Sequence, residues 1–207
     1  TGAGMLWVGW FGFNAGSALA ANGDAGMAML VTHLSAAAGA LTWLGIEWVR
    51  FGKPSALGAV TGLVAGLGTI TPASGFVGPA AALVIGTTAG TVCFFATQWL
   101  KRVLKIDDSL DVFPVHGVGG ILGTLAAGIF ASSELGFFSG QGLAAGRGIG
   151  AQLLIQACGV AAVGLYTALM TWLLLRVAGA LVGLRVSAEE ETEGLDVVLH
   201  NERGYDL

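Results

Sequence analysis

The sequence predicts an all-α polytopic membrane protein, and three observations carry that prediction. Charged residues make up 11% of the 207 positions, and hydrophobic residues make up 55%. A soluble domain carries about 25% charged residues, so this chain lacks the polar surface to coat a globule. Mean hydropathy is +0.78, and several apolar runs approach the ~20 residues that cross a bilayer as a helix. Inside lipid each backbone N–H and C=O must be paired within its own segment, which selects helices. The runs also lack the alternating pattern of an outer-membrane barrel.

Breaking the chain at turn residues and charges gives six spans. The first covers about 1–20 and ends at "ANGD". The second covers about 25–49 and ends at "RFGKPS", where Arg50 and Lys53 would meet headgroups. A short third span, about 56–70, stops at "TPASGFVGP". The fourth covers about 79–104, followed by "KIDDS". In the fifth, 111–132, the Asp111 carboxylate is placed to cap the free N–H groups of the first turn. The sixth covers about 147–180, too long for an upright helix, so it should tilt or extend beyond the bilayer. Residues 1–180 thus form a transmembrane half-bundle and 181–207 an acidic tail.

Five of the 13 acids fall within 189–196, so the membrane part alone is close to charge-balanced. A solvated, partly disordered tail is the default for such a composition. Lys and Arg set the orientation. The turns after spans two and four and the C-terminal flank hold Arg50, Lys53, Lys101, Arg102, Lys105, Arg176, Arg185 and Arg203, against Arg147 alone on the other side. That places the C-terminus in the cytoplasm of a cell or inner membrane protein. No basic stripe suggests nucleic acid. No cleavable signal peptide is visible, and the start inside an apolar run without Met looks like a cut through a longer polypeptide. Cys93 and Cys158 lie in apolar runs without CxxC spacing, which reads as buried inert thiols. Gly62/Gly66, Gly86/Gly90 and Gly119/Gly123 have the spacing that lets helix backbones approach closely.

Few residues could carry chemistry. His116 sits inside "DVFPVHGVGGI", a run that is otherwise apolar or glycine apart from Asp111. An ionisable residue in a membrane span points to a pathway or relay, and a neutral imidazole offers one donor and one acceptor nitrogen. A packing histidine bonded to a neighbouring carbonyl is the bland alternative. His33, beside Thr32 and Ser35, is a weaker candidate. Two membrane histidines on different helices also match the bis-imidazole ligation of haem. In "GWFGFNAGSA", Phe13 and Ser17 share a helix face, and a ring beside a hydroxyl suits a small cation. Interfacial aromatics with a serine bonded back to its own helix would look the same.

Together these stretches resemble the ammonium transporter family. "GWFGFNAGSA" is similar to that family's sixth helix and "DVFPVHGVGGI" to its tenth, with "KPS", "TPASG" and "KIDDSLDVF" in family order. "GLRV…EE…EGLD…HNERGY" is similar to its regulatory C-terminus, with Asn201 where Gly is usual and Gly204 where Ala is usual. The resemblance implies the second half of an eleven-helix transporter with inverted repeats, helices six to eleven plus the tail. The first half, helices one to five with the first pore histidine, would be a required partner. It implies an ammonium recruitment site at Ser17, a gating ring at Phe13, and a pore lined by Trp10, Asn14 and His116, with Thr71 in the lower pore or its packing. It implies passage of neutral NH3 after deprotonation of NH4+, with a passive NH3 channel and a tail-signalling sensor as alternatives. It further implies no enzymatic activity, no cofactor, a homotrimer, and a PII-type regulatory protein as partner. Arg185, Gly194, Leu195, Asp196, His200, Glu202 and Tyr205 would be the regulatory residues of the tail.

Overall fold

The structure is a computed structural model that describes residues 1–204, so Tyr205 lies outside the described residues. Eight α-helices are described: α1 Gly2–Gly16, α2 Gly23–Phe51, α3 Ala56–Ile70, α4 Pro79–Arg102, α5 Gly119–Phe130, α6 Ile149–Leu181, α7 Ala188–Glu193 and α8 Leu195–His200. A π-helical turn, Phe113–Val118, leads into α5.

Local chemistry sets most of these boundaries. The Asn22 side chain accepts from Ala25 N at 3.0 Å to start α2, and Gly52, at φ +78, ends it. Ser55 caps α3 by accepting from Gly58 N at 2.8 Å. Glu47 near the end of α2 accepts from Ser55 N at 2.7 Å and from its hydroxyl at 3.1 Å, which ties the α2–α3 turn to both helices. Pro79 opens α4, where its missing N–H costs nothing.

Among the described residues, four segments are long and apolar enough to cross a membrane: α2, α4, α6, and the π-turn joined to α5. With 15 residues, α3 reaches about 22 Å, short of the ~30 Å hydrocarbon layer. The expected first span also ends early. Its helix stops at Gly16, and Leu19 turns the chain at φ +55. The sixth helix, 33 residues, is about 50 Å long.

The chain forms two compact units, Thr1–Val160 and Ala161–Leu207, with α6 running through the boundary. In the first unit, α2, α3 and α4 pack as a core trio. Ser35 and Gly39 of α2 face Gly62 and Gly66 of α3 on one side and Gly86 and Gly90 of α4 on the other. A Cβ on Gly66 would strike Ser35 O, and one on Gly86 would strike the same carbonyl. Ser35 Oγ donates to Gly66 O at 2.9 Å, fixing the approach. Gly119 and Gly123 of α5 meet Thr69 of α3 in the same way. All three glycine pairs therefore act as packing surfaces. Apolar layers continue this core: Val31, Ile70, Ala81 and Ile85 at one level, and Trp43, Ala65, Phe94 and Val115 at another.

In the second unit, α7 begins with a reciprocal capping box. Ser187 N donates to Glu190 Oε2 at 2.8 Å, and Glu190 N donates to Ser187 Oγ at 3.2 Å. Gly194, at φ +107, joins α7 to α8, and a side chain there would press on Asp196 Oδ1. The acidic tail is thus ordered into two short helices where composition alone suggests partial disorder.

Gly66→Ala should lower stability by about 1–3 kcal/mol through overpacking. Gly45→Ala, on α2 in open space, should be neutral or slightly stabilising. Thermal unfolding of the purified chain in detergent distinguishes the two.

Candidate functional site

The C-terminal end of α1 borders a cleft of about 360 Å³ whose walls include Phe13, Asn14, Ser17, Asp24, Thr71 and Phe76. Ser17 closes α1 and donates its hydroxyl proton to Phe13 O at 2.7 Å. Its oxygen then presents lone pairs only. Phe13 is 61% exposed, and its ring meets the Trp10 ring edge-on at 6.2 Å between centroids.

Two buried or half-buried bonds hold this end of α1. Trp10 Nε1 donates to Thr71 Oγ1 at 2.8 Å, and Thr71 Oγ1 donates to Leu67 O at 2.8 Å. Asn14 Nδ2 donates to Thr32 Oγ1 at 2.9 Å, and Thr32 Oγ1 donates to Ala28 O at 2.6 Å. These bonds give Asn14 and Thr71 a structural task that their spacing in sequence does not reveal.

His116 lies on the π-turn with Nδ1 directed towards Gly68 of α3. Gly68 and Thr71 are three residues apart, hence about one turn along one face of α3. The same face thus carries the Trp10–Thr71 bond and, one turn away, the imidazole. The ring is exposed among the described residues. His33 is also exposed, stacked on Trp7 at 5.1 Å and tilted against Phe11 at 6.0 Å. It packs against α1 while His116 faces α3.

The expected cap is corrected too. Val112 N and Phe113 N donate to the carboxylate of Asp108, at 2.9 and 2.8 Å, not to Asp111. Asp111 sits at φ +55 and pairs with Lys101 Nζ at 2.6 Å. With its backbone left-handed and its carboxylate drawn to α4, Asp111 cannot serve the first turn. Cys93 is buried, but Cys158 is exposed on α6, so only one of the two thiols matches the buried expectation.

In the tail, Asp196 lies in the first turn of α8, and its carbonyl accepts from Glu202 N at 3.0 Å. Asn201, at φ +51, adopts the left-handed conformation that glycine takes without strain, and that Asn tolerates well. Arg185, Leu195 and His200 are exposed, and Gly194 is half-buried.

Sequence reasoning missed two residues here. Asp24 lines the cleft, but in "ANGD" it reads as a turn residue only. Asp108 is one of two adjacent aspartates, and the available signal was its spacing before the apolar turn.

Residues 1–205 match the model of the Ammonium Transporter Family. The chain belongs to the ammonium transporter family. It is 48% identical over 207 residues to a putative ammonium transporter of Methanothermobacter thermautotrophicus, covering 100% of this chain and 50% of that protein. It is also 48% identical to an ammonium transporter of Aquifex aeolicus, covering 100% of this chain and 48% of that one. Among solved structures, a chain titled Sensor Amt Protein superposes with a TM-score of 0.86 at 35% identity, over 95% of this chain and 47% of that chain. Saccharomyces cerevisiae Mep2 does so with a TM-score of 0.80 at 39% identity, over 91% and 43%. The chain spans about half the length of the curated relatives it matches. The family and the curated relatives are transporters, not enzymes, and the apolar helices make this a multi-pass membrane protein.

Asp108→Ala should cost about 1 kcal/mol, the usual loss for an N-cap. Hydrogen exchange at the Val112 and Phe113 amides should speed up several-fold, and unchanged protection there would rule out the capping role.

Proposed function

We propose that this chain supplies one wall of an ammonium pathway and conducts ammonium together with the family's first five helices. The observation that carries this reading is the alignment of Phe13, Asn14, Ser17 and Thr71 around one cleft, with His116 one turn further along α3.

The chemistry follows from the donors and acceptors. Ammonium has four N–H donors and no acceptor. Ser17, its own proton committed to Phe13 O, offers an acceptor, and the exposed Phe13 face attracts a cation. Asp24 adds a carboxylate at the rim of the same cleft. Carrying the bare ion through an apolar bore would cost several kcal/mol or more. Deprotonation near Phe13 and passage of NH3 avoids that cost, with His116 and a second histidine from the first half relaying the proton. Trp10 and Asn14 act by holding α1 against α3 and α2. In this reading the C-terminus is cytoplasmic in a plasma or inner membrane, the assembly is a homotrimer, and a PII-type protein docks through the tail. A sensor that signals through the tail is the second reading, favoured by the likeness to the Sensor Amt Protein.

Joined to the family's first five helices, the chain should give inward current on adding ammonium. Ser17→Ala should weaken apparent affinity about tenfold, the value of one hydrogen bond to a charged group. His116→Ala should alter the current or its ion selectivity. Unchanged affinity and unchanged selectivity, respectively, would remove these two residues from the pathway, and an ammonium-dependent tail response without current would select the sensor.

A further inference from the structure

The α4–α5 connection is fixed by charges that the pathway itself does not use. Its first part folds back on α4, where Leu104 N donates to Trp99 O at 3.1 Å and Ile106 N to Leu100 O at 3.2 Å. Its second part has no such backbone anchor on α4. There Lys101, in the last turn of α4, reaches Asp111 at 2.6 Å, with side-chain exposures of 38% and 16%. Asp111 reverses the chain at φ +55, and its carbonyl accepts from Val115 N at 3.0 Å. The next residues form the π-turn Phe113–Val118 that carries His116. A π-turn is wider and less stable than an α-helical one and persists where its surroundings select it. If it reverted by one residue, the imidazole would swing about 100° around the axis, away from α3.

We infer that the Lys101–Asp111 ion pair is a positioning device: it pins the start of the π-turn to α4 and so holds the His116 ring against Gly68. This inference rests on the reading of His116 as a pathway residue. Lys101 and Asp111 act through His116 and need touch no ammonium.

The chain contains three histidines, so ¹⁵N-histidine labelling of the full chain in lipid nanodiscs gives few imidazole signals, with His116→Ala identifying the one of interest. Lys101→Met and Asp111→Asn should each move the His116 signal and leave that of His33 in place. Asn keeps the left-handed backbone accessible, so Asp111→Asn removes the charge alone. Amide exchange across 113–118 should become roughly fivefold faster, as expected for loss of one partly exposed ion pair. Lys101→Arg should retain both wild-type features. An unmoved His116 signal in both charge-removed variants overturns the inference. So does faster exchange spread equally over α2, α3 and α4, which would mark a general stabiliser. These readouts report ring placement and not transport, so the absence of ammonium current would count against the proposed function alone.

Discussion

The close approach of α2 to α3 and α4 is the constraint on which the rest of the molecule depends. Ser35 and Gly39 lie between the glycine pairs of both neighbours, and no side chain fits at Gly66 or Gly86 without striking the Ser35 carbonyl. In lipid, apolar side chains gain little by leaving a hydrocarbon solvent, so helices associate through dense packing and interhelical hydrogen bonds. The Ser35–Gly66 bond and the glycine faces supply both. They also fix the rotation of α3, because a helix locked on one face has its other faces determined.

That rotation matters at the site. The face of α3 carrying Gly68 and Thr71 is set by the face carrying Gly62 and Gly66. Thr71 then receives Trp10, while Asn14 reaches Thr32 on α2, and α1 is held at two points. The cleft at the end of α1 is therefore a consequence of the glycine packing, transmitted through two side-chain bonds. Gly119 and Gly123 extend the same logic to α5 by meeting Thr69, which brings the π-turn to the same helix.

The all-helical class and the glycine faces were legible in the sequence because each is written locally. Ser55 and the "TPASG" turn bracket α3 in sequence as they do in space. Features that depend on a distant partner were not legible. Asp111 opens an apolar run and so resembles a cap, but Lys101, ten positions earlier, claims its carboxylate. The exposure of His116 depends on what covers its helix face, which no periodicity encodes. The tail looked disordered by composition, yet the Ser187–Glu190 capping box is a local signal that an acidic run conceals. Asn201, read as a departure from the family pattern, preserves the backbone conformation that a glycine would supply.

The polar groups around α1 divide by what remains after the internal bonds are made. Trp10 and Asn14 spend donors on Thr71 and Thr32, and the two threonines pass their protons on to Leu67 O and Ala28 O. Ser17 spends its proton on Phe13 O. Each hydroxyl proton is thus committed within the protein, and Ser17 brings bare oxygen lone pairs to a cleft that Asp24 also lines. A ligand that is itself an acceptor finds no hydroxyl proton waiting in this set. A small donor-only cation finds acceptors and an aromatic face. The selectivity argument thus lies in where the protons of Ser17, Thr32 and Thr71 already point.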